Sequence, residues 1–288
     1  MRITQGMMSD NMLRNLSNSY TKLDTYMNQV STGKKINRPS DDPVIAMKGM
    51  NYRSQVIEVE QYIRNTNEVH NWMDNSDSSL DKATSSMQKL RELAIQASNS
   101  TYGSEERKNI KEEVVQLKEH LIDIANTKVN GKYIFNGTNT ETAPIKDGEY
   151  NFSGGAVNIE VSNGIKIQAN VDASSIFGKE LFDDIDKFIV ALDSDDQEAI
   201  QSSIDSIDDN INNVINARAS LGARMNRLDL IENRLNEQNI IATKMMSENE
   251  DVDYEKVITD LITQESLHRA ALAAGSRIIQ PSLIDFLR

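Results

Sequence analysis

Residues 13–30 read LRNLSNSYTKLDTYMNQV. The apolar members Leu13, Leu16, Tyr20, Leu23, Met27 and Val30 fall at steps of 3, 4, 3, 4 and 3. This is heptad spacing, the pattern of a helix whose apolar seam packs along another helix. Thr32 and Gly33 stop the helix, because glycine takes the left-handed position after a helix end without strain. A polar connector follows, STGKKINRPSDDP (31–43), in which Asp41 or Asp42 before Pro43 reads as an N-cap with proline in the first turn.

Working outward, a second helical tract runs from Pro43 to about Ser98. Its seam passes through Ile45, Gly49, Tyr52, Val56, Val59, Ile63, Thr66, His70 and Met73, then shifts phase to Ser76, Leu80, Ala83, Met87, Leu90, Ala94 and Ala97. At about 1.5 Å per residue it spans roughly 80 Å, so an elongated molecule is expected. A turn at 99–103 precedes a third helix with Ile110, Val114, Leu117, Leu121 and Ile124 on its seam, closed by Asn130-Gly131. Two helices joined by so short a turn form an antiparallel hairpin. Between Lys132 and about Gly178 the period changes. Tyr133-Ile134-Phe135 with Asn136-Gly137, and Val157, Ile159, Val161 with Asn163-Gly164, Ile165 and Ile167, are β-hairpin signals.

Helical spacing returns at Ile204, Ile207, Ile211, Val214, Leu221, Met225, Leu228 and Leu235, with Arg218 and Glu232 as polar interruptions that weaken the seam or mark contacts with other helices. After a charged break (247–253), a last helix carries Ile258, Leu261, Glu265, His268, Leu272, Gly275 and Ile279 among Ala270, Ala271, Ala273 and Ala274. Pro281 interrupts it before Leu283 and Phe286. The fold class is therefore mainly α with a small β insertion (α+β): an elongated antiparallel bundle of long helices, its terminal helices suited to a coiled coil. The expected parts are 1–42 with 254–288 as terminal helices and connector, 43–131 with 179–253 as the long-helix bundle, and 132–178 as a β-rich outer domain.

Composition narrows the function. The 288 residues include no cysteine, which excludes disulfide scaffolds, thiolate metal sites and cysteine nucleophiles. The formal net charge of −13 argues against nucleic acid and anionic membrane as partners. No apolar run approaches the roughly 20 residues of a membrane span, and no cleaved secretory signal of the usual kind is expected. Acid is concentrated in 183–209, with ten acidic residues and one lysine, whereas residues 1–50 hold seven basic and four acidic residues. The acidic stretch is expected to be solvated and to face outward.

No catalytic pattern survives inspection. His70, His120 and His268 lie far apart with no paired-ligand spacing, so each is read as a seam or surface residue. Asp193, Asp195, Asp196 and Glu198 lack the central glycine and distant glutamate of a calcium loop. Gly33-Lys34-Lys35 is no phosphate loop, and neither a nucleophile elbow nor a dinucleotide turn occurs. No enzyme activity, metal or cofactor is expected.

Four separated stretches are similar to the flagellin-like axial proteins of bacterial flagella: VSTGKKINRPSDDP (30–43), IANTKVNGKYIFNGT (124–138), ARASLGARMNRLD (217–229) and RIIQPSLIDFLR (277–288). Their order and spacing match across nearly the whole chain, and the ending 280–287 with the small insertion resembles the hook-associated members. The resemblance implies a structural adaptor at the hook–filament junction, exported unfolded through the flagellar type III channel. It implies as partners the first hook-associated protein, filament flagellin, further copies of the chain, and an export chaperone on the C-terminal helix. The expected subunit-interface residues are Leu13, Leu16, Tyr20, Leu23, Met27 and Val30, with Ile258, Leu261, Leu272, Ile279, Leu283 and Phe286. The connector motif is Gly33, Ile36, Asn37, Pro39, Asp41, Asp42 and Pro43. A short filament flagellin and a cytoplasmic coiled-coil signalling or tethering protein are the alternatives.

Overall fold

Helical and hairpin periods sort the described residues (5–99, 103–146 and 148–279 of this computed structural model) into six helices and three β-hairpins. In order these are α1 (Gln5–Thr32), α2 (Pro43–Ala97), α3 (Ser104–Ala125), β1 (Lys128–Val129), β2 (Lys132–Tyr133), β3 (Ile145–Lys146), β4 (Glu149–Tyr150), β5 (Asn158–Ser162), β6 (Ile165–Gln168), α4 (Lys179–Ser194), α5 (Gln197–Glu250) and α6 (Tyr254–Ile279). The chain divides into two units, Val59–Gln238 and Met1–Glu58 with Asn239–Arg288, so the boundary falls within α2 and α5.

The hydrophobic core belongs to Val59–Gln238. On α2, Thr66, Val69, Met73, Ser76, Leu80, Ala83, Met87, Leu90, Ala94 and Ala97 are buried in unbroken heptad steps. The expected phase shift after Met73 is thus displaced: the seam passes through Val69, and His70 stands beside it, half-buried. Thr66 and Ser76 are tolerated there because their hydroxyls donate back to the carbonyls of Tyr62 and Trp72, each at 2.8 Å. On α5, Ile200, Ile207, Val214, Leu221, Leu228 and Leu235 are buried at intervals of seven. Of the two readings of the polar interruptions, weak seam or contact with another helix, the second describes both. Arg218 donates to Asp77 (3.0 Å) and Asp81 (2.8 Å) of α2, and Glu232 meets His70 at 3.0 Å. With Arg91 paired to Asp208, these contacts run antiparallel along α2 and α5 and fix their register.

Most carboxylates of the acidic stretch are exposed, and the stretch is regular in structure. Residues 183–209 are mostly helical, and the turn between α4 and α5 is only Asp195 and Asp196. Asp195 is left-handed (φ 60°), and Asp196 caps α5 by accepting from the backbone N–H groups of Glu198 and Ala199. Part of the acid is answered by a basic row on α3: Arg107, itself buried, reaches Asp195, Lys111 reaches Asp193 at 2.9 Å, and Lys118 reaches Asp186 at 2.5 Å. Opposite charges at helical spacing therefore align the antiparallel α3/α4 pair.

The β-rich segment is three separate antiparallel hairpins, β1–β2, β3–β4 and β5–β6. Asn163-Gly164 turns β5 into β6 as expected, with Gly164 at φ 71°. Asn130-Gly131, expected to close α3, is instead the β1–β2 turn, with φ of 52° and 80° as a two-residue hairpin loop requires. Asn136-Gly137, expected as a hairpin turn, opens a tight turn that joins no pair of strands and also acts as a cross-brace. Buried Asn136 donates to the Thr142 carbonyl (2.9 Å) and accepts from the Ser153 N–H (2.8 Å). Gly137 sits at φ 55°, and a Cβ there would lie 2.1 Å from the Ser153 carbonyl oxygen. This asparagine thus supplies both a tight turn, its carbonyl accepting from the Asn139 N–H (3.0 Å), and a side-chain amide that braces the segment.

Aromatic pairs fasten this segment: Phe135, just after β2, and Phe177, just before α4, meet edge-on at 5.3 Å, and Tyr150 of β4 stacks on Phe182 of α4 at 5.2 Å. Arg224 of α5 donates to the carbonyls of Gln168 and Asn170, both at 2.9 Å, which holds the end of β6. The fully buried Phe177 gives a direct test. In urea unfolding, Phe177→Ala is expected to cost about 3–5 kcal/mol. The exposed Leu230→Ala is expected to change stability by no more than about 0.5 kcal/mol.

Candidate functional site

Met1–Glu58 with Asn239–Arg288 is built differently from the unit just described. The buried hydrophobic cluster lies wholly within residues 69–235, and outside it only Ala242 and Val257 are buried apolar side chains among the described residues. Polar contacts and close helix approach hold this unit together instead.

At its connector, α1 ends at Thr32 and Gly33 takes the left-handed conformation (φ 71°). A Cβ on Gly33 would come within 2.7 Å of the Tyr254 hydroxyl, so both backbone and space call for glycine. The chain then pairs briefly with the α5–α6 joint: the Lys35 N–H donates to the Glu250 carbonyl (2.7 Å) and the Val252 N–H to the Gly33 carbonyl (3.0 Å). The charged break expected over 247–253 is accordingly only Asp251–Asp253, since α5 continues to Glu250. Lys34 Nζ lies 2.5 Å from Asp251 and 3.6 Å from the nearly buried Glu250 carboxylate, which Arg53 of α2 approaches at 2.6 Å. Hydrogen bonding to Asp251 raises the Lys34 ammonium above the usual lysine range, and that same bond, helped by Ser247, lowers Asp251 below the usual carboxylate range.

Each connector-motif residue has a place. The Asp41 carboxylate accepts from the N–H groups of Asn37 (3.1 Å) and Arg38 (2.9 Å). Asp42 is the N-cap, accepting from Val44 (2.9 Å) and Ile45 (3.1 Å), and Pro43 opens α2. Ile36 and Pro39 line a hollow of about 110 Å³ beside Arg53 and Glu250.

The terminal helices α1 and α6 pack antiparallel. Gln264 Nε2 donates to Ser19 Oγ (2.9 Å), His268 Nδ1 lies 3.3 Å from the same hydroxyl, and Met12 fills the space where Gly275 has no side chain. The covered stripe on α1 is Met12, Leu16, Ser19, Leu23, Tyr26 and Val30, facing Val257, Leu261, Gln264, His268, Ala271 and Gly275 on α6. Of the sequence-expected interface residues, Leu16, Leu23, Val30 and Leu261 lie on this stripe. Leu13, Tyr20 and Met27 do not: they stand one position aside, 54%, 68% and 60% exposed. Ile258 and Leu272 are likewise exposed on α6. Ile279 ends α6, and its side chain, with Leu283 and Phe286, lies outside the described residues.

The displacement has a physical reason. Apolar residues occupy adjacent positions (12 and 13, 26 and 27, 257 and 258, 271 and 272), so each helix offers two overlapping seams. The narrower one, with Ser19, Gln264, Ala271 and Gly275, permits close approach. Leu13, Tyr20, Met27, Ile258 and Leu272 are left outside. Of twenty-one large hydrophobics exposed among the described residues, seventeen belong to this unit, including Val44, Met47, Met50, Ile57, Ile240, Ile241 and Met245. Exposed apolar surface on that scale marks an interaction surface.

Residues 3–140 match the model of the bacterial flagellin N-terminal helical region, and residues 204–287 that of the bacterial flagellin C-terminal helical region. Flagellar hook-associated protein 3 of Escherichia coli (strain K12) is 28% identical, over 95% of this chain and 96% of that protein. The flagellin of Bacillus subtilis (strain 168) is 27% identical, over 95% and 94%. In fold, the chain resembles Bacillus cereus FlgL (TM-score 0.61, 24% identity, 68% of this chain and 99% of that one). It also resembles flagellar hook associated protein-3 from Legionella pneumophila (TM-score 0.64, 17% identity, 69% and 98%).

The connector is open to test by proteolysis. Gly33→Ala forces a left-handed alanine, costing about 1–2 kcal/mol. Cleavage within 33–43 is then expected to rise about five- to thirtyfold under conditions where it tracks the opening equilibrium, while cleavage within 69–94 stays unchanged.

Proposed function

Because this chain belongs to the bacterial flagellin family, we propose that it is a structural subunit of the bacterial flagellum and serves as an adaptor at the hook–filament junction. The observation that carries the reading is the uncovered apolar face of α1 and α6. A helix pair that leaves Leu13, Tyr20, Met27, Ile258 and Leu272 in water is complete only when other subunits cover them. Heterologous contacts of this kind, repeated without closing, generate helical tubes. The terminal helices and connector (1–42, 254–288) form the inner contact layer, the long helices (43–131, 179–253) the next, and 132–178 faces outward.

Two curated relatives named flagellar hook-associated protein 3, from Escherichia coli and Salmonella typhimurium, match over nearly their full lengths, which supports the junction assignment and export to the cell exterior. The first hook-associated protein and filament flagellin are the neighbours, with further copies of this chain beside it and an export chaperone on the C-terminal helix before secretion. Flagellins of similar identity and coverage favour a second reading, a short filament subunit. Immunogold labelling separates the two: label confined to the hook–filament boundary supports the first, and label along the filament the second.

The α1 face is tested by Leu13→Glu combined with Met27→Glu. These side chains are exposed, so the isolated chain is expected to keep its unfolding free energy to within about 0.5 kcal/mol, while incorporation into flagella and swimming are lost. Leu23→Glu, on the covered stripe, is expected to weaken both. Normal flagella with the double variant would overturn the proposed contact.

A further inference from the structure

We propose that His70, Asp229 and Glu232 bind one borderline divalent cation, with Zn2+ the best fit. His70 projects from α2, while Asp229 and Glu232 stand three residues apart on α5 and so share a face. His70 Nε2 lies 3.0 Å from Glu232 Oε2 and 3.5 Å from Asp229 Oδ1, and one ligand atom from each residue lies within 4.8 Å of the other two. Zinc bonds to imidazole nitrogen and carboxylate oxygen are about 2.0–2.2 Å long, so two donors of one tetrahedral ion sit roughly 3.4 Å apart. Two of the three separations already bracket that value. Asp229, the most exposed of the three side chains, has the freedom to bring in the third donor.

Charge and chemistry agree with the geometry. Among the described residues, His70 is the only basic side chain within ion-pair distance of either carboxylate. When the His70 ring carries its proton on Nε2 it donates to Glu232; with the proton on Nδ1, Nε2 turns a lone pair toward the two carboxylates, which is the donor set an ion needs. A mixed nitrogen and oxygen donor set suits zinc and its neighbours in the transition series, whereas Mg2+ prefers an all-oxygen shell. The partial exposure of all three side chains leaves a fourth position for water and a route for the ion. The acidic turn at Asp193–Glu198 offers no such set, because Lys111 and Arg107 engage Asp193 and Asp195, and Asp196 caps a helix.

The ion would tie α2 to α5 within Val59–Gln238 and, by binding only the folded chain, stabilise it. This inference does not depend on where the chain assembles. Titration of chelator-stripped full-length protein with ZnCl2 in a calorimeter is expected to show one saturable equivalent and a rise in thermal midpoint. His70→Gln should weaken the affinity about tenfold or more and abolish the rise, while His120→Gln and His268→Gln leave both intact. Should His70→Gln not fold, Glu232→Gln and Asp229→Asn are each expected to lower the affinity by a similar factor. Absence of saturable binding by the wild-type chain, or affinity unchanged in His70→Gln or in both carboxylate variants, would overturn the proposal.

Discussion

A helix pair whose shared seam interrupts Leu16, Leu23, Val257 and Leu261 with Ser19, Gln264, His268, Ala271 and Gly275 can approach closely but cannot bury much apolar surface. Everything about the unit formed by Met1–Glu58 and Asn239–Arg288 follows from that constraint. Fully burying a leucine or isoleucine contributes about 1.5–3 kcal/mol, and here Leu16, Leu23 and Leu261 are only half-covered while larger apolar neighbours stay outside. Ordering a residue costs about 1–2 kcal/mol in backbone entropy. The pair is therefore held by its ends and by hydrogen bonds, not by a core. Its connector is correspondingly polar, a short backbone ladder and the Lys34–Asp251 and Arg53–Glu250 pairs, one carboxylate of which is nearly buried.

Val59–Gln238 solves the opposite problem. It buries its own seams at strict heptad steps and uses charge to fix alignment, with Arg218 against Asp77 and Asp81 and the α3 basic row against α4. Exposed ion pairs of this kind contribute little stability each. Their value lies in register: a slip of one heptad between α2 and α5 would preserve the apolar pattern yet separate every pair.

How much of this was readable in the sequence depends on what kind of signal each feature leaves. The long helices were legible because a 3, 4 repeat over many turns has few other meanings, and Gly33 and Asp42-Pro43 marked their limits. The seam chosen within α1 and α6 was not, because Met12 and Leu13, or Val257 and Ile258, are equally apolar, and only packing shows which small residues admit the partner. Asn163-Gly164 turns a hairpin as its flanking alternation implies, whereas nothing local distinguishes Asn130-Gly131 as a hairpin turn from a helix end, or shows that the Asn136 side chain serves tertiary hydrogen bonds. The His70, Asp229 and Glu232 cluster leaves no spacing motif at all. Its members come from two helices, and only the antiparallel register brings them together; the polar places at His70 in one seam and Glu232 in the other were the hints.

Hydrogen exchange by mass spectrometry on the dilute full-length chain tests the central claim most directly. The account predicts that amides of residues 7–30 and 255–275 exchange about a hundredfold or more faster than those of 69–94 and 207–235, because no core protects them. Equal protection of both sets in the solitary chain would contradict it.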